Sequence, residues 1–152
     1  MNKLIRLATL LLLTILWLPK ASGDNCSVSA TNLAFGSFSP LAGSTVDSTA
    51  TITVTCNKAI PYTISLSPGG SGTYSPRSMA NGGNHLAYNL YFDAGYSQVW
   101  GNGTGGSSTV SGTIPLRFDS TDHTVYGRIP LSTQRNAVVG SYSDSITVTV
   151  TF

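Results

Sequence analysis

The sequence predicts an all-β domain built as an antiparallel sandwich of two sheets, and three observations carry that prediction. Apolar residues recur with period two, not with helical spacing, through most of the chain. Only 9% of residues are charged and glutamate is absent, whereas soluble helical chains build their surfaces from Glu and Lys. Serine and threonine make up 40 of the 152 residues, and Gly/Asn clusters separate the alternating runs. With 41% hydrophobic residues the chain is also unlike disordered sequences, which are charged and poor in apolar side chains.

The first segment reads as a leader. Lys3 and Arg6 precede an apolar run from Leu7 to Leu18, interrupted by Thr9 and Thr14, and the small residues Ala21 and Gly23 follow. This is the pattern of a secretory signal peptide over residues 1–23, with cleavage after Gly23. The run is too short to cross a hydrocarbon core of about 30 Å, so no membrane span is expected after cleavage. Lys3, Arg6 and Lys20 leave with the leader. The mature chain, 24–152, then has five basic and six acidic side chains and a net charge of −1 in place of the formal +2. Without a basic patch, nucleic-acid binding has no electrostatic footing.

Export sets the reading of Cys26 and Cys56. Two cysteines in a secreted domain, each at the edge of a strand-like run, are most simply a disulfide. A redox pair more often shows C-x-x-C spacing, and a metal site needs histidine or acidic partners.

The strands follow in order. From Val46 to Cys56, Val46, Ser48, Ala50, Ile52, Val54 and Cys56 share one face and Asp47 and the threonines the other. Tyr62, Ile64 and Leu66 alternate with Thr63 and Ser65. Leu86 to Phe92 puts Leu86, Tyr88, Leu90 and Phe92 on one side, and Ile114–Phe118, Val125–Ile129 and Tyr142–Phe152 complete the set. Turns are expected at 68–72, 80–84, 101–106 and 120–122, where Gly, Asn and Asp supply tight connections. Six or seven short strands in one domain of this length fit an immunoglobulin-like sandwich.

Little here points to catalysis. His85 and His123 stand alone among polar residues, and solvation explains them better than chemistry. Gly69-Gly70-Ser71-Gly72 is followed by Thr73, so the G-x-S-x-G pattern fails. The six aspartates do not define the carboxylate pair of a glycosidase, and the glycine runs lack the lysine of a phosphate loop. The chain is read as a non-enzyme without cofactor or metal. Tyr74, Tyr96 and Trp100 lie in or near expected loops and are candidate surface-binding aromatics, with Trp100 alternatively packed over a sheet edge. Arg77, Arg117, Arg128 and Arg135 are read as solvated or sheet-edge residues, Arg128 with a structural partner.

Several blocks, in register, resemble one family. They are Asn25-Cys26-Ser27-Val28-Ser29-Ala30, Leu33-Ala34-Phe35-Gly36-Ser37-Phe38, Ile52-Thr53-Val54-Thr55-Cys56, Tyr88-Asn89-Leu90-Tyr91-Phe92-Asp93, Val99-Trp100-Gly101, Val125-Tyr126-Gly127-Arg128-Ile129-Pro130 and the stretch 140–150. Together they resemble a spore coat protein U domain over residues 25–152. The resemblance implies a secreted subunit of an archaic chaperone–usher pilus or a related coat, exported through the periplasm to the cell surface.

It further implies an incomplete sandwich that lacks its final strand. The groove would be filled first by a periplasmic chaperone and then by a neighbouring subunit, with an outer-membrane usher as a further partner. Ile146, Val148, Val150 and Phe152, on one face of the last strand, are the expected groove residues, because β-augmentation needs an open edge with alternating apolar positions. Only Asp24 and Asn25 would precede Cys26 after cleavage, too few for a donor strand of about ten residues at roughly 3.3 Å each. That leads to the expectation of a tip or adhesin-like subunit. The alternative is a self-sufficient, lectin-like secreted binding module.

Overall fold

The computed structural model describes residues 25–39, 44–131 and 137–152. The leader at 1–23, its cleavage site, Asp24 and Arg135 lie outside the described residues. Within them are the strands β1 Cys26–Ala30, β2 Val46–Cys56, β3 Ile60–Leu66, β4 Arg77–Asn81, β5 Asn84–Tyr91, β6 Val110–Ile114, β7 Asp119–Ile129 and β8 Val148–Thr151, plus one 3-10 turn at Gly69–Ser71. They form two antiparallel sheets, ordered β1-β2-β7-β5-β4 and β6-β3-β8. The all-β expectation therefore holds.

The pairing of β2 with β7 is the spine, running from Val46 opposite Ile129 to Cys56 opposite Asp119. Alternation along β2 buries Ala50, Ile52, Val54 and Cys56 and turns the threonines outward, as a half-buried strand requires. Facing them across the core are Tyr62, Ile64 and Leu66 of β3 and Ile114 of β6. Cys26 and Cys56 are bonded and stand directly opposite each other in the β1–β2 ladder.

Trp100 locks the two layers together. It is 0% exposed. Its indole N–H donates to the Ile64 carbonyl at 3.2 Å and its backbone N–H to the Leu90 carbonyl at 2.9 Å, so one residue bonds to β3 and β5. The ring packs edge-on against Phe92 and His123.

Several local expectations are corrected. The strand placed at Ile114–Phe118 is instead Val110–Ile114, because Pro115, lacking an N–H, ends it. Ser120, Thr121 and Asp122 form no turn. They belong to β7, where Asp122 accepts a bond from the Thr53 hydroxyl at 2.6 Å across the outer face. The strand expected over Tyr142–Phe152 is regular only at Val148–Thr151, preceded by a single bridge from Ser143 to Ala80 of β4.

Arg77, read as solvated, opens β4 and is 0% exposed. Its Nε and Nη2 donate to the Ser67 carbonyl, Nη2 also to the Trp100 carbonyl at 2.7 Å, and Nη1 to Asn89 Oδ1 at 2.9 Å. Tyr74 lies 5.2 Å from the guanidinium. Burial lowers the pKa of Arg77, and carbonyl acceptors replace the water it gives up. His123, read as solvated, is half-buried on β7, with Nε2 2.7 Å from the Tyr62 hydroxyl.

Candidate functional site

The site begins with a mismatch between register and burial on β1. Val28 stands opposite Val54, and Ala30 opposite Ile52, so both side chains share the inward face of buried neighbours. Yet Val28 is 41% exposed and Ala30 is also exposed. Among the described residues, no further strand pairs with the outer edge of β1.

The last strand shows the same condition on the other sheet. Among the described residues β8 pairs with β3 alone, Val148 opposite Leu66 and Val150 opposite Ile64, and ends that sheet. Ile146, Val148 and Val150 are half-buried, and Phe152 is 49% exposed against the Tyr62 ring.

Between these flanks lies a cleft of about 400 Å³ whose floor is the inner face of the large sheet, including Ile52, Tyr88, Leu90 and Val125. Its rims are residues 30–35 on one side and 142–148 on the other. Ile146 and Val148 line this cleft. Val150 and Phe152 continue the same face beyond it, with Phe152 in a separate shallow depression beside Tyr62 and Gly112.

Leu33 and Phe35 partly fill the cleft after β1 ends. Phe35 packs edge-on to Tyr88 at 5.9 Å, and both side chains lie over Gly127, where any Cβ would come within 3 Å of them. Gly127 thus has a physical reason: the chain leaving β1 crosses β7 where no side chain can stand.

One polar cluster fixes the rim at 142–148. Asp144 accepts bonds from the Tyr88 hydroxyl at 2.7 Å and from the Gly70 N–H at 2.8 Å. Burial first, and the Asp144 carboxylate second, raise the pKa of Tyr88, so Tyr88 stays a donor. The Ser67 hydroxyl accepts from the Thr147 N–H at 2.9 Å. These contacts bend 144–147 out of regular strand geometry and hold it over the cleft.

The candidate surface aromatics do not converge. Trp100 is sealed in the core, which removes it as a surface residue. Tyr74 packs beside Arg77 and Gly101. Tyr96, at φ 55, belongs to an outer-face group with Tyr91, Tyr126 and Arg128, whose guanidinium lies 3.5 Å from the Tyr96 ring centre. Arg128 has the structural partner expected of it: a bidentate pair with Asp47, both bonds 2.7 Å. Among the described residues no cluster of His, Cys, Asp or Glu is suited to a metal.

Leu33, Phe35, Met79, Tyr88 and Asp144 also line the cleft, a role that the sequence pattern does not mark for any of them. The alternation in Leu33-Ala34-Phe35 and the lone glycine in Tyr126-Gly127-Arg128 were the available signals, but each becomes meaningful only when the two segments are brought together.

The fold defines a class, the two-sheet antiparallel β-sandwich with one disulfide. The sequence matches the Spore Coat Protein U domain over residues 12–149, and the chain belongs to that family. No curated protein matches it. The solved structures that share the fold include these two. One is a chain of the CsuC-CsuE chaperone–tip adhesion subunit pre-assembly complex from the archaic chaperone–usher Csu pili of Acinetobacter baumannii, at 22% identity and TM-score 0.61, covering 85% of this chain and 40% of that one. This chain therefore spans well under half the length of that relative. The other is the P pilus rod subunit PapA, at 18% identity and TM-score 0.54, covering 83% of this chain and 97% of that one.

Proposed function

We propose that residues 24–152, freed of a signal peptide at 1–23, form a structural subunit of a chaperone–usher surface fibre or coat, assembled by strand donation and without enzymatic activity. One observation carries the reading: inward-facing Val28 and Ala30 are exposed beside a cleft whose opposite rim leads into an edge strand paired on one side only. An extended peptide laid in that gap would cover both apolar rims and bond to the free edges, the physics of β-augmentation. An uncovered apolar edge also favours aggregation, which gives a periplasmic chaperone its task before a neighbouring subunit takes its place and an outer-membrane usher passes the chain to the surface. The fold shared with a pilus rod subunit over nearly all of its chain, and with a chain of a chaperone–subunit complex, supports the same assignment.

The test is export of residues 24–152 with and without a cognate chaperone. The expected outcome is aggregation or loss when the chain is alone and a stoichiometric, soluble complex with the chaperone, which Val148→Asp abolishes. A stable, cooperatively unfolding monomer obtained without the chaperone would sink the assembly reading. A tip or adhesin-like position is the narrower form of this proposal. N-terminal sequencing of the exported protein decides it, and about ten or more residues ahead of Cys26 would remove it.

A further inference from the structure

We propose that Arg77 is a positioning residue for the strand-accepting groove, setting the rim at 144–147 through two arms, one by way of Ser67 and the other by way of Tyr88 and Asp144. This deepens the assembly reading above and rests on it. Arg77 is 0% exposed, and it donates to the carbonyls of Ser67 and Trp100 and to Asn89 Oδ1. Packing alone does not call for a guanidinium there, because burying one is costly and an apolar side chain of like size avoids that cost. What the guanidinium supplies is a planar fork that reaches several acceptors at once. Two of its neighbours lead to the rim.

In the first arm, Nε and Nη2 both donate to the Ser67 carbonyl, at 3.2 and 3.0 Å. Ser67 in turn holds Thr147 twice: its N–H donates to the Thr147 carbonyl at 2.9 Å, and its hydroxyl accepts from the Thr147 N–H at 2.9 Å. In the second arm, Arg77 stands directly opposite Tyr88 in the β4–β5 ladder, and the Tyr88 hydroxyl donates to Asp144 at 2.7 Å. The Asp144 carboxylate is seated tightly. It accepts from the Gly70 N–H at 2.8 Å, and a Cβ at Gly69, which stands at φ 71, would overlap it. Its charge is also among those that offset the burial of the guanidinium. The arms thus grip both ends of the irregular stretch that lies between the Ser143–Ala80 bridge and β8. Between the grips is Ile146, which lines the cleft. A rim already held in place has less order to acquire when a strand docks, and the gain appears mainly as slower release.

The test uses the full chain exported with its cognate chaperone and purified as the complex. Two quantities are measured, the rate of chaperone release and hydrogen exchange at the Thr147 and Gly70 amides relative to those of β2. Arg77→Lys keeps the charge and loses the fork. It should release the chaperone roughly tenfold faster, with exchange raised at Thr147 and Gly70 over β2. Asn89→Ala is the control. It removes the acceptor of Nη1, which belongs to neither arm, so it should lower stability while the release rate and the relative exchange stay near those of the unmodified chain. Tyr88→Phe and Ser67→Ala each cut one arm and should speed release if Arg77→Lys is not exported. Added to Arg77→Lys, Tyr88→Phe should speed release less than it does alone, because the two act on one rim. Equal acceleration by Arg77→Lys and Asn89→Ala, or Thr147 and Gly70 amides that stay protected in Arg77→Lys, would make Arg77 a packing residue only and overturn the inference. The groove reading is scored separately on the unmodified chain. If that chain is a stable monomer without the chaperone, the assembly reading falls, and exchange in the Arg77→Lys monomer still decides whether Arg77 holds the rim.

Discussion

Trp100 and Val28 both face inward in the same sandwich, yet Trp100 is 0% and Val28 41% exposed. Around Trp100 the two sheets are joined by hydrogen bonds. Its indole reaches β3, its amide reaches β5, and its carbonyl takes a bond from buried Arg77, which also binds Ser67 and Asn89. Around Val28 the strand register is correct, yet among the described residues no strand pairs beyond it and the side chain is exposed. The difference shows that register alone does not make a core. An inward face is sealed only where the second layer supplies a strand or an anchoring side chain, and among the described residues no strand lies beyond the outer edge of β1.

That contrast predicts unequal sensitivity. Trp100→Ala removes a fully enclosed ring and its indole bond to β3, and should cost about 3–5 kcal/mol, read as a lower urea midpoint at unchanged slope. Val28→Ala in the isolated chain should cost far less, and its effect should appear only when the groove is occupied. An equal loss from both substitutions would mean that β1 is already covered and that the flank is closed. Replacing Cys26 and Cys56 together by serine comes next. The bond closes a segment with a sequence separation of 30, for which chain entropy gives roughly 3.6 kcal/mol. Because it pins the rim strand β1, chaperone capture should be lost along with stability, whereas Trp100→Ala should affect stability more than capture in the fraction that remains folded.

Much of this architecture is legible from period-two alternation. The run from Val46 to Cys56 identifies β2, its buried face and its terminal cysteine correctly, since every residue obeys the pleat. The failures share a cause. Arg77 is a core residue that no hydropathy pattern marks, because its burial is made possible by carbonyls supplied by residues 67 and 100 and by the side chain of Asn89. Ser120-Thr121-Asp122 has turn composition, yet pairing with Thr53, Val54 and Thr55 of β2 makes it strand. The strand expected from Tyr142 is broken by Asp144, whose bonds to Tyr88 and Gly70 lie far away in sequence. Of the groove, the rim residues Ile146 and Val148 follow from alternation. The floor residues Ile52, Tyr88 and Leu90 lie on faces that alternation marks as inward, but their exposure in a cleft, and the partial plug of Leu33 and Phe35, depend on tertiary contacts.

The plug supplies a mid-sized prediction. Gly127→Val would place a branched side chain where Leu33 and Phe35 now lie within 3 Å of the Cβ position. The expected cost is about 1–3 kcal/mol, typical of overpacking. The displaced residues 31–39 should leave the cleft wider, measured as increased binding of a hydrophobic dye to the folded protein. If dye binding stays at the unmodified level while stability falls, Leu33 and Phe35 do not gate the cleft.

The smallest effect distinguishes the sealed end by pH. His123 packs against Trp100 and faces Tyr62, with Asp122 beside it in sequence; burial lowers its pKa below the ordinary 6.5, and the Asp122 charge opposes that shift. The folded state therefore favours the neutral ring, whose Nε2 can accept a bond from the Tyr62 hydroxyl, while the unfolded chain binds a proton more readily. Stability from this residue is fully present above about pH 6.5 and is lost progressively as the pH falls below it, because there the unfolded state takes up more protons. Asp47 behaves differently: its bonds to Arg128 lower its pKa from 3.8, so its contribution persists to about that value and disappears only in stronger acid. Denaturation midpoints followed from pH 7 to pH 5 should thus fall slightly in the unmodified chain and stay flatter in His123→Gln, with Asp122→Asn steepening the fall. A slope that survives His123→Gln would assign the acid sensitivity to another part of the molecule and leave the Trp100 region electrostatically silent.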